Sequence, residues 1–397
     1  MTSPTIRVFE TESDARKDAG KPAHWVDDEG TAFKNPWASW REHDWRDQLY
    51  IVFGHSKNCP TPPSNISSLI PSRPPTWDAG DEGAAKIKAT WMGHASFFVE
   101  FPARGSQGGS PRTTRGVRIL FDPIFSERCS PIDWAGFRRI TPPACSFEEL
   151  PEVDVVVISH DHYDHLDQPT IKKFTLLKRV PQFFTTLGNK KLLMSMGVPD
   201  DHCHVLDWWD SRRIEVLLPT QSPGSEVPAT IDLFCTPSQH NVGRNFMDRF
   251  HYAKSLWASW VAQEVLVDTQ LAPKSVFFAG DTGYRAVLDG QDQEKVPVCE
   301  AFKQIGERFG PIDLAMIPIG AYAPRRYMSP IHCSPDDSVL LFKDIKAKHG
   351  VGMHWGTFVL TTEPIMDPPA KLKEACTRYV VPSDLFICTE IGETGLY

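Results

Sequence analysis

Residues 153–167 read VDVVVISHDHYDHLD: an apolar run from Val153 to Ile158 broken only by Asp154, then three histidines and three aspartates in the last eight positions. A short β-branched run bounded by polar residues is the signature of a strand buried on both faces, as in a parallel sheet. Imidazoles and carboxylates packed directly after such a strand are what a metal site needs. In an extended segment, residues 160, 162 and 164 project to one side, and a bend lets His165 join from another direction. Imidazole nitrogen and carboxylate oxygen suit Zn(II), and equally Fe(II) or Mn(II), with no thiolate to force the choice.

Working outward, strands are predicted at 86–92, 95–101, 117–125, 231–237, 275–281, 313–320 and 351–355. A helix is predicted over 334–350, with Ser334 as its cap, Pro335 in its first turn, acids at 336 and 337, and His349-Gly350 closing it. Alternating strands and helices indicate an α/β protein. His240, Asp281 and His354 each fall near the end of a predicted strand, where side chains from separate strands converge at one sheet edge. The residues before about 84 are rich in Pro, Trp and charge and read as an extension with a Pro-rich connector, 1–83, packed on a main domain, 84–397. A Gly/Ser/Arg-rich insertion is expected at 104–116.

The chain has 397 residues, a formal charge of −8 and nine cysteines. The cysteines never form C-x-x-C, so they read as reduced thiols of a reducing compartment. The acidic balance argues against a nucleic-acid partner. No apolar stretch reaches 18 residues, and the first 25 residues hold no apolar signal core, which predicts a cytoplasmic protein without a transmembrane segment.

The run His160-Asp161-His162-Tyr163-Asp164-His165 resembles the H-x-H-x-D-H signature of the metallo-β-lactamase superfamily. Within it the chain looks most like the N-acylphosphatidylethanolamine-hydrolysing phospholipases D, on FKNPW (33–37), WMGHAS (91–96), FDPIFSERCSP (121–131), TPSQH (236–240), LWASW (256–260), GDTGY (280–284), GAYAPR (320–325), HWGTF (354–358) and PPAKLKEA (368–375). The resemblance implies an αββα sandwich of two mixed sheets and two zinc ions per chain. His160, His162 and His240 would hold the first, Asp164, His165 and His354 the second, and Asp281 would bridge them. Asp164, Asp281 and His332 are the expected catalytic residues, with His332 placed to orient a phosphate. Asp122 and His94 are expected to support ligands from behind, and Arg325 (or Arg326), Tyr322 and Trp257 to contact substrate.

The implied reaction is hydrolysis of a phosphodiester of N-acylphosphatidylethanolamine by a metal-bridging hydroxide, giving N-acylethanolamine and phosphatidic acid. It implies peripheral contact with intracellular membranes and a homodimer. Rival readings keep the site and change its use: hydrolysis of a lactone, thioester or amide of a small metabolite, a nuclease, or a metal- or lipid-binding module without turnover.

Overall fold

The fold is described from a computed structural model for residues 4–11, 20–50, 56–77, 80–104, 113–132, 134–222, 224–244, 252–266 and 270–397; most of the expected insertion, 105–112, lies outside them. Val155–Val157 is the strand the apolar run predicts, with all three side chains fully buried. Each contributes about 1.5–3 kcal/mol relative to an exposed side chain. It runs parallel to Arg118–Phe121 on one side and to Gln182–Thr186 on the other.

Around it lies a seven-stranded mixed sheet in the order Thr394–Leu396, Lys88–Gly93, Ser96–Glu100, Arg118–Phe121, Val155–Val157, Gln182–Thr186 and Cys203–Leu206. An eight-stranded mixed sheet runs Ile6–Glu10, Ser211–Pro219, Glu226–Thr236, Ser259–Val265, Ser275–Phe278, Ile312–Pro318, Ala347–Met353 and Phe386–Ile387. In each sheet one half is antiparallel and the other parallel. The sheets meet face to face, as the stacking of Phe121 on Phe278 at 4.7 Å shows. Helices cover the outer faces: Gln168–Thr175 sets Phe174 edge-on to Phe183, and Pro335–Asp344 lies on the strands Ile312–Pro318 and Ala347–Met353. This is the expected αββα sandwich.

Two expectations are corrected. The helix begins at its Ser334 cap and stops at Asp344 rather than 350. Lys346 turns left-handed (φ 56°), and Ala347–His349 leave to pair in register with Ile312–Leu314. Here sheet pairing overrides helical propensity. The N-terminal segment does more than wrap the body, because Ile6–Glu10 is an edge strand paired with Arg212–Val216.

Candidate metal centre

The strand Val155–Val157 delivers the loop that follows it to the sheet edge. That loop is not extended throughout: the His162 carbonyl accepts from the amides of His165 and Leu166 at 3.1 and 2.8 Å, so a turn starts at His162. Asp164 therefore does not project with His160 and His162, as an extended loop would have it. It groups with His94, His165 and His354, whereas His160 and His162 group with His240. One loop thus feeds two clusters.

The second sheet supplies the remainder. His240 follows Glu226–Thr236, Asp281 follows Ser275–Phe278, and His354 follows Ala347–Met353. At three strand ends the backbone is left-handed in a residue of the site: His94 (φ 53°), Asp122 (φ 38°) and His354 (φ 65°). Asp and His tolerate this region better than branched residues, at a cost on the order of 1–3 kcal/mol each. The turn before Asp281 uses Gly280 (φ 57°), where an added Cβ would lie 2.6 Å from Ser159 Cβ.

Hydrogen bonds fix which nitrogen of each imidazole faces inward. Asp122 Oδ2 accepts from His165 Nδ1 at 2.6 Å and from the Ser159 hydroxyl at 2.5 Å; that hydroxyl in turn accepts from His160 Nδ1 at 2.9 Å. One carboxylate thereby orients a histidine of each cluster. His240 Nδ1 donates to the Ile331 carbonyl at 2.8 Å. The Nε2 atoms of His160, His165 and His240 are left as lone pairs, and those of His160 and His240 lie 2.9 and 3.4 Å from His162 Nδ1.

Asp281 lies between the clusters. Its Oδ2 is 3.1 Å from His165 Nε2, 3.9 Å from His160 Nε2 and 3.8 Å from His240 Nε2, and its Oδ1 is 3.0 Å from His354 Nε2. Asp281 Oδ1, His354 Nδ1 and His332 Nδ1 are buried with no hydrogen-bond partner, the close approach of Asp281 Oδ1 to His354 lacking the alignment of one. Orphaned lone pairs and convergent imidazoles at one buried place are costly unless a cation joins them. The residues fit two metal ions with nitrogen and oxygen ligands.

Electrostatics agree. Burial would raise the Asp281 carboxyl, but His165, His354 and His332 outweigh it and hold the group well below the usual carboxylate range. Burial, then mutual repulsion among the imidazoles, holds His160 well below its usual value. His354 goes the other way: against its burial, Asp281 and Asp164 lift it to about 9.

His94 is buried and its Nε2 lies 3.0 Å from Asp164 Oδ2, a contact from behind that ligand. His332 reaches the centre, with Nε2 3.8 Å from Asp281 Oδ2. The expected substrate contacts fare differently. Trp257 is 2% exposed and donates its indole N–H to the Ser238 carbonyl at 2.8 Å, so it is corrected from a substrate contact to a buried support for the His240 loop. Trp208 and Trp260 are also buried. The Arg325 guanidinium is bound to Asp337 at 2.6 Å and to the His332 carbonyl at 3.4 Å. Arg326 is held by Asp47 at 3.0 Å, and the Tyr322 hydroxyl by Asp367 at 2.7 Å.

Several residues of the quoted motifs brace the site, in contacts that their sequence does not announce. The Thr357 hydroxyl accepts from the His94 amide at 2.7 Å, Asn35 donates to the His240 carbonyl at 2.7 Å, and Gln239 donates to the Pro330 carbonyl at 2.9 Å. Beside His354 a small cleft of about 30 Å³ is walled by Phe358, Leu360, Thr361, Glu363, Ile365 and Pro368.

Comparison with known proteins agrees with this geometry. Residues 117–355 match the family model of the beta-lactamase superfamily domain. The chain is 33% identical over 343 residues to the N-acyl-phosphatidylethanolamine-hydrolyzing phospholipase D 1 of Caenorhabditis elegans, covering 85% of this chain and 83% of that one. To the mitochondrial N-acyl-phosphatidylethanolamine-hydrolyzing phospholipase D of Saccharomyces cerevisiae it is 29% identical, over 92% of this chain and 75% of that one. Among solved structures, one described as a possible metal-dependent hydrolase from Veillonella parvula shares the fold with a TM-score of 0.50 at 16% identity, covering 79% of this chain and all of that one.

Proposed function

The chain belongs to the beta-lactamase superfamily of metal-dependent hydrolases, and from that premise we propose that it cleaves the phosphodiester of an N-acylphosphatidylethanolamine, releasing N-acylethanolamine and leaving phosphatidic acid. The observation that carries the chemistry is the Asp281 carboxylate reaching toward both ligand clusters. The substrate reading draws on the relatives named above.

Zinc is the proposed metal. His160, His162 and His240 would hold one ion, Asp164, His165 and His354 the second, and Asp281 both. Bound there, such ions supply Lewis acidity toward phosphate oxygens and lower the pKa of a coordinated water to about 7.

The chain's own residues do the remaining work. Asp122 and Ser159 fix the tautomers of His160 and His165 before substrate arrives, so no reorganisation is needed at the reaction. Burial excludes bulk water from the cluster and strengthens each charge–dipole contact within it. Burial also brings His332 down to about 4, so it meets the substrate as a neutral imidazole that offers a ring N–H to a phosphate oxygen. Arg325, bound to the His332 carbonyl and to Asp337, holds that histidine in place.

The test incubates the metal-loaded protein with vesicles containing N-acylphosphatidylethanolamine and identifies products by mass spectrometry beside elemental analysis. Stoichiometric N-acylethanolamine and phosphatidic acid are expected, and Asp281→Asn lowers turnover at least about 10³-fold and reduces bound metal. Hydrolysis of a lactone or thioester panel with none of the phospholipid would overturn the substrate reading. An active, metal-replete Asp281→Asn protein would overturn the role given to Asp281.

A further inference from the structure

The most exposed large aromatic side chain among the described residues is Trp134, at 81%; it stands at the tip of a hairpin whose arms pair Arg128 with Arg138 and Cys129 with Phe137. Ile132 at 40% and Phe137 at 43% flank it. Three large apolar side chains on one eleven-residue hairpin form a concentrated patch, unlike single exposed residues scattered over a surface.

The base of this hairpin is fastened to the metal centre's rim. Cys129 packs with Ile124 and Phe358 in a small apolar cluster that also takes Tyr163 and Leu360. Tyr163 belongs to the ligand loop. Phe358 sits edge-on to His94 at 5.1 Å, and Arg139, just past the hairpin, lies over the same ring at 5.5 Å. The Ile140 amide donates to the Thr357 carbonyl at 2.8 Å. Phe358 and Leu360 also wall the cleft beside His354. An apolar path therefore runs from the exposed tip, through the hairpin base, to the cleft.

We propose that the Arg128–Arg138 hairpin is a bilayer anchor that inserts Trp134, Ile132 and Phe137 into the interface of a phospholipid membrane and sets the cleft at the membrane surface; this rests on the phospholipid reading above. Indole is suited to that depth, with an apolar body and one polar N–H. Segment 127–139 carries Arg128, Arg138 and Arg139 against Glu127 and Asp133, a net charge of only +1, and Glu127 is already paired with Arg138. Attachment is thus apolar and does not depend on anionic headgroups. A second copy of the chain is disfavoured by area: three partly exposed side chains offer at most a few hundred Å², short of the roughly 800 Å² per partner of a stable interface.

The experiment is flotation of the full metal-loaded chain with neutral phosphatidylcholine vesicles, at low and high salt, for the parent and Trp134→Ser, with bis(p-nitrophenyl) phosphate turnover and solution mass measured in parallel. The parent floats at both salt levels, Trp134→Ser partitions at least roughly tenfold less, and both hydrolyse the soluble diester equally. Equal flotation of the two proteins, or no flotation of the parent, overturns the anchor. So does a loss of self-association in Trp134→Ser without vesicle dependence, which would assign the tip to a second copy. A flotation difference without any phosphodiester hydrolysis would overturn the enzymatic reading while upholding the anchor.

Discussion

Asp122 governs one histidine of each cluster, directly for His165 and through the Ser159 hydroxyl for His160. Its weight comes from the relay and from a left-handed backbone that turns its side chain inward. A different residue, His204, ties stability to pH. Its Nε2 meets Gln182 Oε1 at 2.8 Å and its ring stacks on Phe184 at 4.7 Å, and burial, then the charge of Arg212, brings its pKa down to about 4. An unfolded histidine titrates near 6.5. The folded state therefore binds its proton later, and the stability His204 contributes is complete above about pH 6.5 and is lost as pH falls toward 4. Urea unfolding between those limits should show a declining midpoint, and His204→Phe should flatten the slope; an unchanged slope would refute the assignment. At this scale the sequence was informative where side chains act within one short segment, as His160, His162, Asp164 and His165 do. Thr357 and Asn35 lie in quoted motifs, but their partners were not legible, because each meets its partner across more than 200 residues of chain.

The elements explain why the ligand loops hold still. Residues 33–47 run along the back of the centre: Asn35 donates to the His240 carbonyl at 2.7 Å, and Ser39 to Gln239 at 2.5 Å. Asp47 joins Arg41 at 2.7 Å and Arg326 at 3.0 Å, on the short helix Arg325–Met328 that precedes His332. This segment thus braces the loop of His240 and the loop of His332. Asn35→Ala should lower metal affinity severalfold in a chelator competition titration and cost about 1–2 kcal/mol of stability, without changing metal stoichiometry at saturation. Unaltered affinity would mean that the His240 loop is held by Trp257 and Ile331 alone. Strands were the most readable elements, since Val, Ile and Phe runs bounded by polar turns have few alternatives. The helix end at Asp344 was hidden because the residues after it form helices as readily as they pair with Ile312–Leu314.

At the scale of the whole molecule, the candidate metal clusters join two sheets that also meet there through backbone hydrogen bonds, from the Ala258 amide to the Ser159 carbonyl and from the His354 amide to the His94 carbonyl, both at 3.0 Å. His160, His162, Asp164 and His165 come from the seven-stranded sheet, and His240, Asp281 and His354 from the eight-stranded one. Metal bound only when the sheets are docked stabilises the docked state, by about 4 kcal/mol when free metal exceeds its dissociation constant a thousandfold. Chelation should lower the thermal midpoint by several degrees and zinc should restore it, whereas Asp281→Asn should respond much less. A midpoint indifferent to chelator would separate metal binding from the fold. Layer architecture was legible from the alternation of elements, but which strand ends face one another was not, since sheet-to-sheet docking depends on the whole core.

Each sheet has one edge strand that lies far in sequence from the strand it pairs with. Ile6–Glu10 completes the edge of the sheet built from residues 211–387, and Thr394–Leu396 completes the edge of the sheet built from residues 88–206. During synthesis Ile6–Glu10 must wait some 200 residues for its partner, and the sheet of residues 88–206 keeps one edge open until Thr394–Leu396 emerges. Neither layer can be finished as an independent unit on the ribosome.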